Sequence, residues 1–334
     1  MGGDYGPSVT VPAVIKSLSD NPLLTVTLLG NLDLFKNNYA LQLNSFGDRV
    51  RYRSCTDEVS MDEKPSQALR HKQQSSMFQA VSMVSHQVAD ACVSAGNTGA
   101  FMAIGKFVIK TFPGIARPAV CTEMPTEAGR CLMLDLGANV DCRSEHFLQF
   151  AIMGSEMAKV LFALENPTVA LLNIGEEESK GNEQVRLAAA LLEKNKNINY
   201  IGFVEGNDIY KGKANVIVCD GFVGNTVLKA SEGVARLISH KIQKLLHKNL
   251  AMKFFGFFAK NFSSSLFKEI NPSRYNGASF LGLQGTVVVS HGNSDIDGFA
   301  NAIQLACKQV EQELPRKIQM SMTPPSLCDT SPTK

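Results

Sequence analysis

The chain has no tryptophan and only six histidines and six tyrosines among its 334 residues. Its eight cysteines (Cys55, Cys92, Cys121, Cys131, Cys142, Cys219, Cys307, Cys328) include no Cys-x-x-Cys pair. That excludes the usual zinc-knuckle and dithiol motifs. Several of them sit in apolar runs and read as buried free thiols of a reducing compartment. No apolar run is long enough to span a bilayer, and the first residues lack a signal-peptide pattern, so a cytosolic protein is expected. Charged residues are few, at 19%, and the net charge is only +2. No global excess of positive charge is there to attract nucleic acid. What the chain does have is a 44% apolar composition, enough for a large core.

Six short apolar runs read as strands: Leu24–Leu29, Ala91–Ser94, Cys131–Leu136, Val169–Ile174, Asn215–Cys219 and Thr286–Ser290. Most end in Gly, Asn or Asp and lead into a helical pattern. Met77, Val81, Val84 and Val88 share a helix face, as do Phe147, Phe150, Ala151, Met157, Val160 and Leu161. Val185, Ala188, Ala189 and Leu192 repeat the pattern, and so do Val227, Val234, Ile238, Ile242 and Leu245. Alternation of strand and helix predicts an α/β fold, doubly wound, with a mostly parallel sheet and helices on both faces. Such folds bind ligands at the carboxyl ends of their strands. A single α/β domain is expected over residues 1–313. A disordered tail is expected over 314–334, where Pro324, Pro325, Pro332 and several Ser/Thr accumulate.

The N-terminus opens on a glycine-rich turn, Gly2-Gly3-Asp4, with no strand ahead of it, whereas the other loops of this kind follow one. The expectation is that Met1 is an internal methionine of a longer natural chain. A missing first strand would leave a neighbouring strand partly unpaired.

Chemistry concentrates in the loops. Ser94-Ala95-Gly96-Asn97-Thr98-Gly99-Ala100 lies between an apolar run and a helical pattern. Such a loop leaves backbone N–H groups free at a helix N-terminus, which favours an anion. Glycine lets the backbone approach a ligand closely. Lys180 stands in a Gly-flanked loop beside Glu176–Glu178 and is a candidate either to hold an anion or to pair with those glutamates. Asn225 follows Gly224 at a helix start, where an N-cap is the commonest role for Asn, though a cap residue also lines an anion site. Asn97 and Thr98 share that ambiguity. His291, in a loop with Ser294 and Asp295, is a candidate proton donor or a hydrogen-bonding loop residue, whereas His146 reads as structural. Asp4, Asp135, Asp141 and Asp220 lie near strand ends, but their Gly and Asn neighbours suit phosphate better than a metal. Neither a metal nor a cofactor is expected. Cys142 and Cys219 read as buried thiols rather than nucleophiles.

Seven motifs stand in these loops, in order: Met1-Gly2-Gly3-Asp4, Ser94–Ala100, Asp135-Leu136-Gly137-Ala138-Asn139-Val140-Asp141, Asn173-Ile174-Gly175-Glu176-Glu177, Lys180-Gly181-Asn182-Glu183, Asp220-Gly221-Phe222-Val223-Gly224-Asn225 and His291-Gly292-Asn293-Ser294-Asp295. Together with Arg117-Pro118-Ala119, Glu145-His146 and Gln149–Gly154 they resemble the bacterial phosphate acyltransferases of the PlsX family, from Met1 to about Val310. The resemblance implies transfer of a long-chain acyl group from acyl carrier protein to inorganic phosphate. The acyl phosphate product would feed glycerol-3-phosphate acylation, and PlsY, the acyltransferase that consumes it, would be a partner. The resemblance favours Lys180, Asn225 and His291 as catalytic groups. It implies Gly3, Asp4, Ser94, Gly96, Asn97, Thr98, Gly99, Asn139, Asp141, Asn182, Asp220, Gly221, Gly224 and Ser294 as phosphate- or substrate-binding residues. One motif departs: Arg274–Leu283 carries Asn276 where the family usually has the first of two glycines. Asn tolerates a left-handed backbone well, so the turn is expected to survive. The rivals are a phosphate acetyl- or butyryltransferase using a coenzyme A thioester, an isopropylmalate-type dehydrogenase, and a non-catalytic membrane-surface scaffold.

From Gly233 to Lys268 there is no Asp or Glu. Basic residues alternate with Phe254, Phe255, Phe257, Phe258, Phe262 and Phe267. This reads as a protruding helical hairpin whose apolar part either lies in a membrane interface or buries against a second subunit. The resemblance implies both: a homodimer, cytoplasmic and peripherally associated with an anionic membrane. The basic face is also suited to an acidic carrier protein.

Overall fold

The computed structural model describes residues 2–248 and 276–322. The chain opens with helix α1 (Pro7–Asp20), strand β1 (Val26–Gly30), helix α2 (Leu32–Asn44) and strand β2 (Val50–Ser54). Helices α3 (Pro65–His71) and α4 (Ser76–Ser85) lead to β3 (Ala91–Ser94) and α5 (Thr98–Val108). Then come β4 (Ala119–Thr126), β5 (Gly129–Leu134), α6 (Ser144–Phe162), β6 (Thr168–Leu172), α7 (Glu183–Lys194), β7 (Asn199–Val204), β8 (Val216–Val218) and the long α8 (Gly221–Lys248). Strands β9 (Ala278–Leu281) and β10 (Thr286–Val289) precede two final helices, Ile296–Glu311 and Leu314–Met322.

β1 and β2 form a small parallel sheet, and the other eight strands form one sheet in the order β3-β10-β9-β4-β5-β8-β6-β7. Alternation along the strands splits the core between the two faces. Cys131, Met133 and Ile217 point to one side, with Phe101 and Ile104 of α5. Leu132, Leu134, Val216 and Val218 point to the other, with Phe147, Phe150 and Met157 of α6. Helices on both faces are therefore as expected.

The sheet is mixed in sense. β3 pairs parallel with β10, and β5, β8, β6 and β7 pair parallel among themselves. Between these blocks, β10–β9, β9–β4 and β4–β5 are antiparallel. Three reversals turn the second block opposite to the first. The carboxyl ends of β3 and β10 therefore face one edge, and those of β5, β8 and β6 the other.

The apolar runs located six strands but not β2, β4, β7 and β9. β2 (Val-Arg-Tyr-Arg-Ser) alternates, with Arg51 and Arg53 exposed beside buried Val50. β4 contains Pro125, which is tolerated because it sits at the hairpin end of the β4–β5 pair. The run at Cys131–Leu136 ends as a strand at Leu134 because Asp135 turns inward to bind backbone. Val88 lies beyond the end of α4 and is exposed.

The disordered tail expected from Leu314 is corrected over its first nine residues. Leu314–Met322 is a helix, with Leu314 and Ile318 buried one turn apart beside α6. Ser321 Oγ donates to Glu156 Oε1 of α6 at 2.9 Å. The Pro- and Ser-rich composition belongs to 323–334, outside the described residues. Of the segment expected to form the hairpin, only the part up to Lys248 is described, as the continuation of α8; the expected second arm falls outside the described residues. Phe254, Phe255, Phe257 and Phe258 lie outside the described residues.

Candidate active site

The reversal of strand sense sorts the candidate residues into two clusters. At the β3–β10 edge, three loops meet backbone to backbone. Asp4 N donates to the Gly292 carbonyl at 2.8 Å, and Ser290 N donates to the Ser94 carbonyl at 2.8 Å. A Cβ on Gly2 would lie 2.8 Å from Gly96 Cα. Gly3, at φ +86°, could not carry one without meeting the Gly292 carbonyl at 2.9 Å. Glycine is required here for close packing.

Most polar side chains of this cluster are already engaged. Asn97 caps α5, accepting from Ala100 N, and its amide donates to the carbonyls of Ser60, Met61 and Glu63. It staples the 60–63 loop and has no donor left for an anion. Ser294, expected on substrate, is buried: it donates to the His291 carbonyl and accepts from Asn276. Asn276 Nδ2 reaches Ser290 Oγ at 2.7 Å and Ser294 Oγ at 2.8 Å, and its Oδ1 accepts from His291 N at 3.0 Å. The expectation of a left-handed Asn276 is corrected. The positive φ, +120°, belongs to Gly277, and Asn276 serves through its amide instead. Asp4, Thr98 and Gly99 are exposed at the rim, and Ser94 Oγ accepts from Gly96 N.

His291 keeps its ring half-exposed, with Nε2 3.7 Å from Glu232 Oε1 of α8. Glu232 also pairs with Lys229 at 3.1 Å and Arg236 at 3.6 Å. Burial pushes the imidazole pKa down and the Glu232 carboxylate opposes it. The sequence reading missed both Glu232 and the use made of Asn276. Glu232 was legible only as one acid just ahead of a basic stretch.

At the opposite edge, Asp135 is the hub. Its Oδ1 accepts from the backbone N–H groups of Val120 and Ala138, its Oδ2 from Asn139 N and Nδ2. Burial pushes its pKa up and the donated bonds oppose the rise. Asn139 also donates to the Pro118 carbonyl, so it too is spent as a substrate ligand. A Cβ on Gly224 would run into the Asp135 carbonyl, which places the first turn of α8 directly on this hub. Asp220, not Asn225, caps α8: its Oδ1 accepts from Val223 N at 2.9 Å. Gly221 N donates to the Asn139 carbonyl at 2.8 Å. Asn225 stands within the first turns, exposed, beside Gly137.

The Lys180 loop follows β6, the parallel neighbour of β8, so it shares this edge. Asn173 Nδ2 donates to the Lys180 carbonyl, and Asn182 caps α7 by accepting from Val185 N. Glu176 pairs with Lys213 rather than Lys180. The Lys180 ammonium is exposed and has no ion pair among the described residues. Asp141 is exposed, its carbonyl accepting from Arg117. Lys180 and Asn225 thus share an edge and His291 does not. α8 links them: Asn225 and Glu232 are two turns apart, roughly 10 Å along its axis.

His146 is buried, accepts from Arg143 N and stacks on Phe150. Burial pushes the Cys142 thiol up to about 12 and Cys219 well above its usual value, so neither is a thiolate near neutral pH. Among the described residues, no three His, Cys, Asp or Glu side chains gather as a metal site.

A family model described as "Fatty acid synthesis protein" matches residues 1–317. A protein named phosphate acyltransferase from Methylococcus capsulatus is 50% identical over 323 residues, covering 97% of this chain and 95% of the relative. One of the same name from Nitrosococcus oceani is 47% identical over 324 residues, covering 97% and 95%. Two solved structures share the fold. A phosphotransacetylase from Streptococcus pyogenes has a TM-score of 0.57 at 18% identity, covering 92% of this chain and 93% of its own. A branched-chain phosphotransacylase from Enterococcus faecalis has a TM-score of 0.57 at 15% identity, covering 92% and 97%.

Proposed function

The chain belongs to this fatty acid synthesis protein family and is a phosphate acyltransferase, and from that premise we propose that it moves a long-chain acyl group from acyl carrier protein to inorganic phosphate. One observation carries the site assignment. Lys180 and Asn225 are exposed at one sheet edge, and among the described residues no hydrogen bond or ion pair engages their side-chain donors. Asn225 stands in the first turns of α8, where the helix dipole favours negative charge, and Lys180 stands in the loop after β6, the strand beside β8 that leads into α8.

Phosphate binds there and attacks the thioester carbonyl. A carbon–oxygen bond forms to phosphate, the carbon–sulfur bond breaks, and the carrier thiol leaves. Inorganic phosphate has a second pKa about one unit above the value of about 6 of a phosphorylated side chain, so near neutrality a substantial share is dianion and no strong base is needed. A thiol with pKa of about 8.5 is a tolerable leaving group. The residues must align two reactants and stabilise the oxyanion, which is the part given to Lys180 and Asn225. His291 stands beside Glu232, roughly 10 Å along α8 from Asn225, so it does not reach the sulfur of a thioester held at Lys180 and Asn225, and the departing thiolate takes its proton from water.

On the same reading the enzyme is a homodimer that works at an anionic membrane surface and passes acyl phosphate to PlsY. What supports a surface role is α8, on which Val234, Leu237 and Ile238 are exposed beside Lys241 and Lys244. No helix among the described residues is long and apolar enough to cross a membrane.

The test is release of carrier thiol from a long-chain acyl carrier protein. Release that requires phosphate and vanishes in Lys180→Ala supports the assignment. Faster turnover of short-chain coenzyme A thioesters would select the acetyl- or butyryltransferase reading instead.

A further inference from the structure

A cavity of about 450 Å³ lies between β1 and β3. Its walls are consecutive residues, 24–29 on one side and 88–95 on the other. A strand that lines a cavity with its face contributes alternate residues, because side chains point up and down in turn. Consecutive lining means that both strands present their edges. The pairings agree: among the described residues β1 pairs with β2, β3 pairs with β10, and neither has a second neighbour. Met77 and Ile303 close the cavity from the helical layers. Gly2 lies at its mouth, against Ala95 and Gly96 just past the end of β3.

We propose that this slot is a strand-acceptor site, which takes one extended apolar peptide segment of five or six residues running beside β3 and leading into Gly2. Two facing strand edges offer rows of N–H and C=O groups, and only another backbone answers both rows at strand spacing. An acyl chain fills the volume but leaves those groups without partners. A segment that leads into Gly2 emerges beside Gly96, so it runs in the same sense as β3. It then forms a strand, a glycine loop and helix α1, the order already seen at β3–α5. The occupied slot joins the two sheets into one and anchors the Gly2–Asp4 turn in the glycine cluster.

The experiment compares three proteins: the present chain, the chain with six alternating Val and Thr residues fused ahead of Gly2, and the chain with six Gly and Ser residues there. The apolar extension is expected to raise Tm by roughly 5 °C or more. It is also expected to slow amide exchange in β1 and β3 by about tenfold or more. The Gly/Ser extension is expected to do neither. Equal behaviour of the two extensions overturns the proposal. So does protection of the same amides by palmitate but not by the apolar extension, which would make the slot an acyl pocket. Should the fused chain not fold, the same apolar peptide is added in trans to the present chain. A dose-dependent rise in Tm then supports the acceptor site, and none up to millimolar peptide overturns it.

Discussion

The two sheet edges carry similar loops, rich in Gly, Asn and Ser, and use them differently. At the β3–β10 edge, Asn97, Asn276, Ser290 and Ser294 spend their hydrogen-bonding groups on backbone and on one another. At the β5–β8–β6 edge a lower tier, Asp135 and Asn139, is spent in the same way. Beside it stand Lys180 and Asn225, whose side chains engage no hydrogen-bond or ion-pair partner among the described residues. A polar loop after a strand therefore signals a tight junction. Whether it also binds depends on which donors the junction leaves over.

The sharpest way to break this contrast is Lys180→Ala. If the free edge does the chemistry, kcat/KM falls by about 10²–10³, as for loss of an oxyanion donor. The unfolding midpoint stays where it was, because no partner is lost. A fall of less than about threefold would remove Lys180 from the catalytic role.

Asn276→Ala tests the spent edge and should show the reverse signature. It strips partners from Ser290, Ser294 and the His291 N–H inside a buried site. Denaturant unfolding should report a loss of about 2–4 kcal/mol, since each buried polar group left unpaired costs about 1–3. A loss below about 0.5 kcal/mol would show that the network does not hold the loop.

Asn97→Ala should be milder, about 1–2 kcal/mol. The cap accounts for about 1 kcal/mol, and the stapled carbonyls lie near enough to solvent to find water. If phosphate affinity fell while stability held, Asn97 would belong with the binding residues after all.

The smallest effect concerns His291. Burial lowers its folded pKa below the ordinary value of about 6.5. The unfolded chain then binds more protons than the folded one between those two values. Stability therefore rises with pH through that window and is lost as pH falls below about 6.5. Glu232 opposes the shift, so Glu232→Gln lowers the folded pKa further and steepens the loss. Thermal scans between about pH 7.5 and about pH 5.5 should show a larger drop in Tm for Glu232→Gln than for the parent. In His291→Asn the substitution at Glu232 should make no such difference. Equal slopes in the parent and Glu232→Gln would mean that the 3.7 Å pair does not couple.

Much of the fold was legible. Ala91–Ser94 matched to the residue, and the helix faces of α6 and α7 were read from their spacing. β2 and β9 were not, because neither is a continuous apolar run: β2 carries only a short alternation, and β9 is four residues long. The candidate residues were legible as loop motifs, but their roles were not. Ser294 and Asn225 look alike in sequence as small polar residues at helix starts. One is buried against Asn276 and the other is exposed at the turn of α8.

Composition and periodicity by themselves determined the α/β class and the alternation of strand and helix, and the glycine-rich loop motifs in their order carried the resemblance to the family. These rest on local physics: period-two burial, helical spacing and backbone conformations that glycine permits. Tertiary structure alone decided that β9 and β4 run against their neighbours, which sends the loops to opposite edges. It also decided which amides, hydroxyls and ammonium groups remain free. Both depend on pairings between residues more than a hundred positions apart, such as Val120 with Phe280, and no local pattern encodes what a side chain will meet across such a distance.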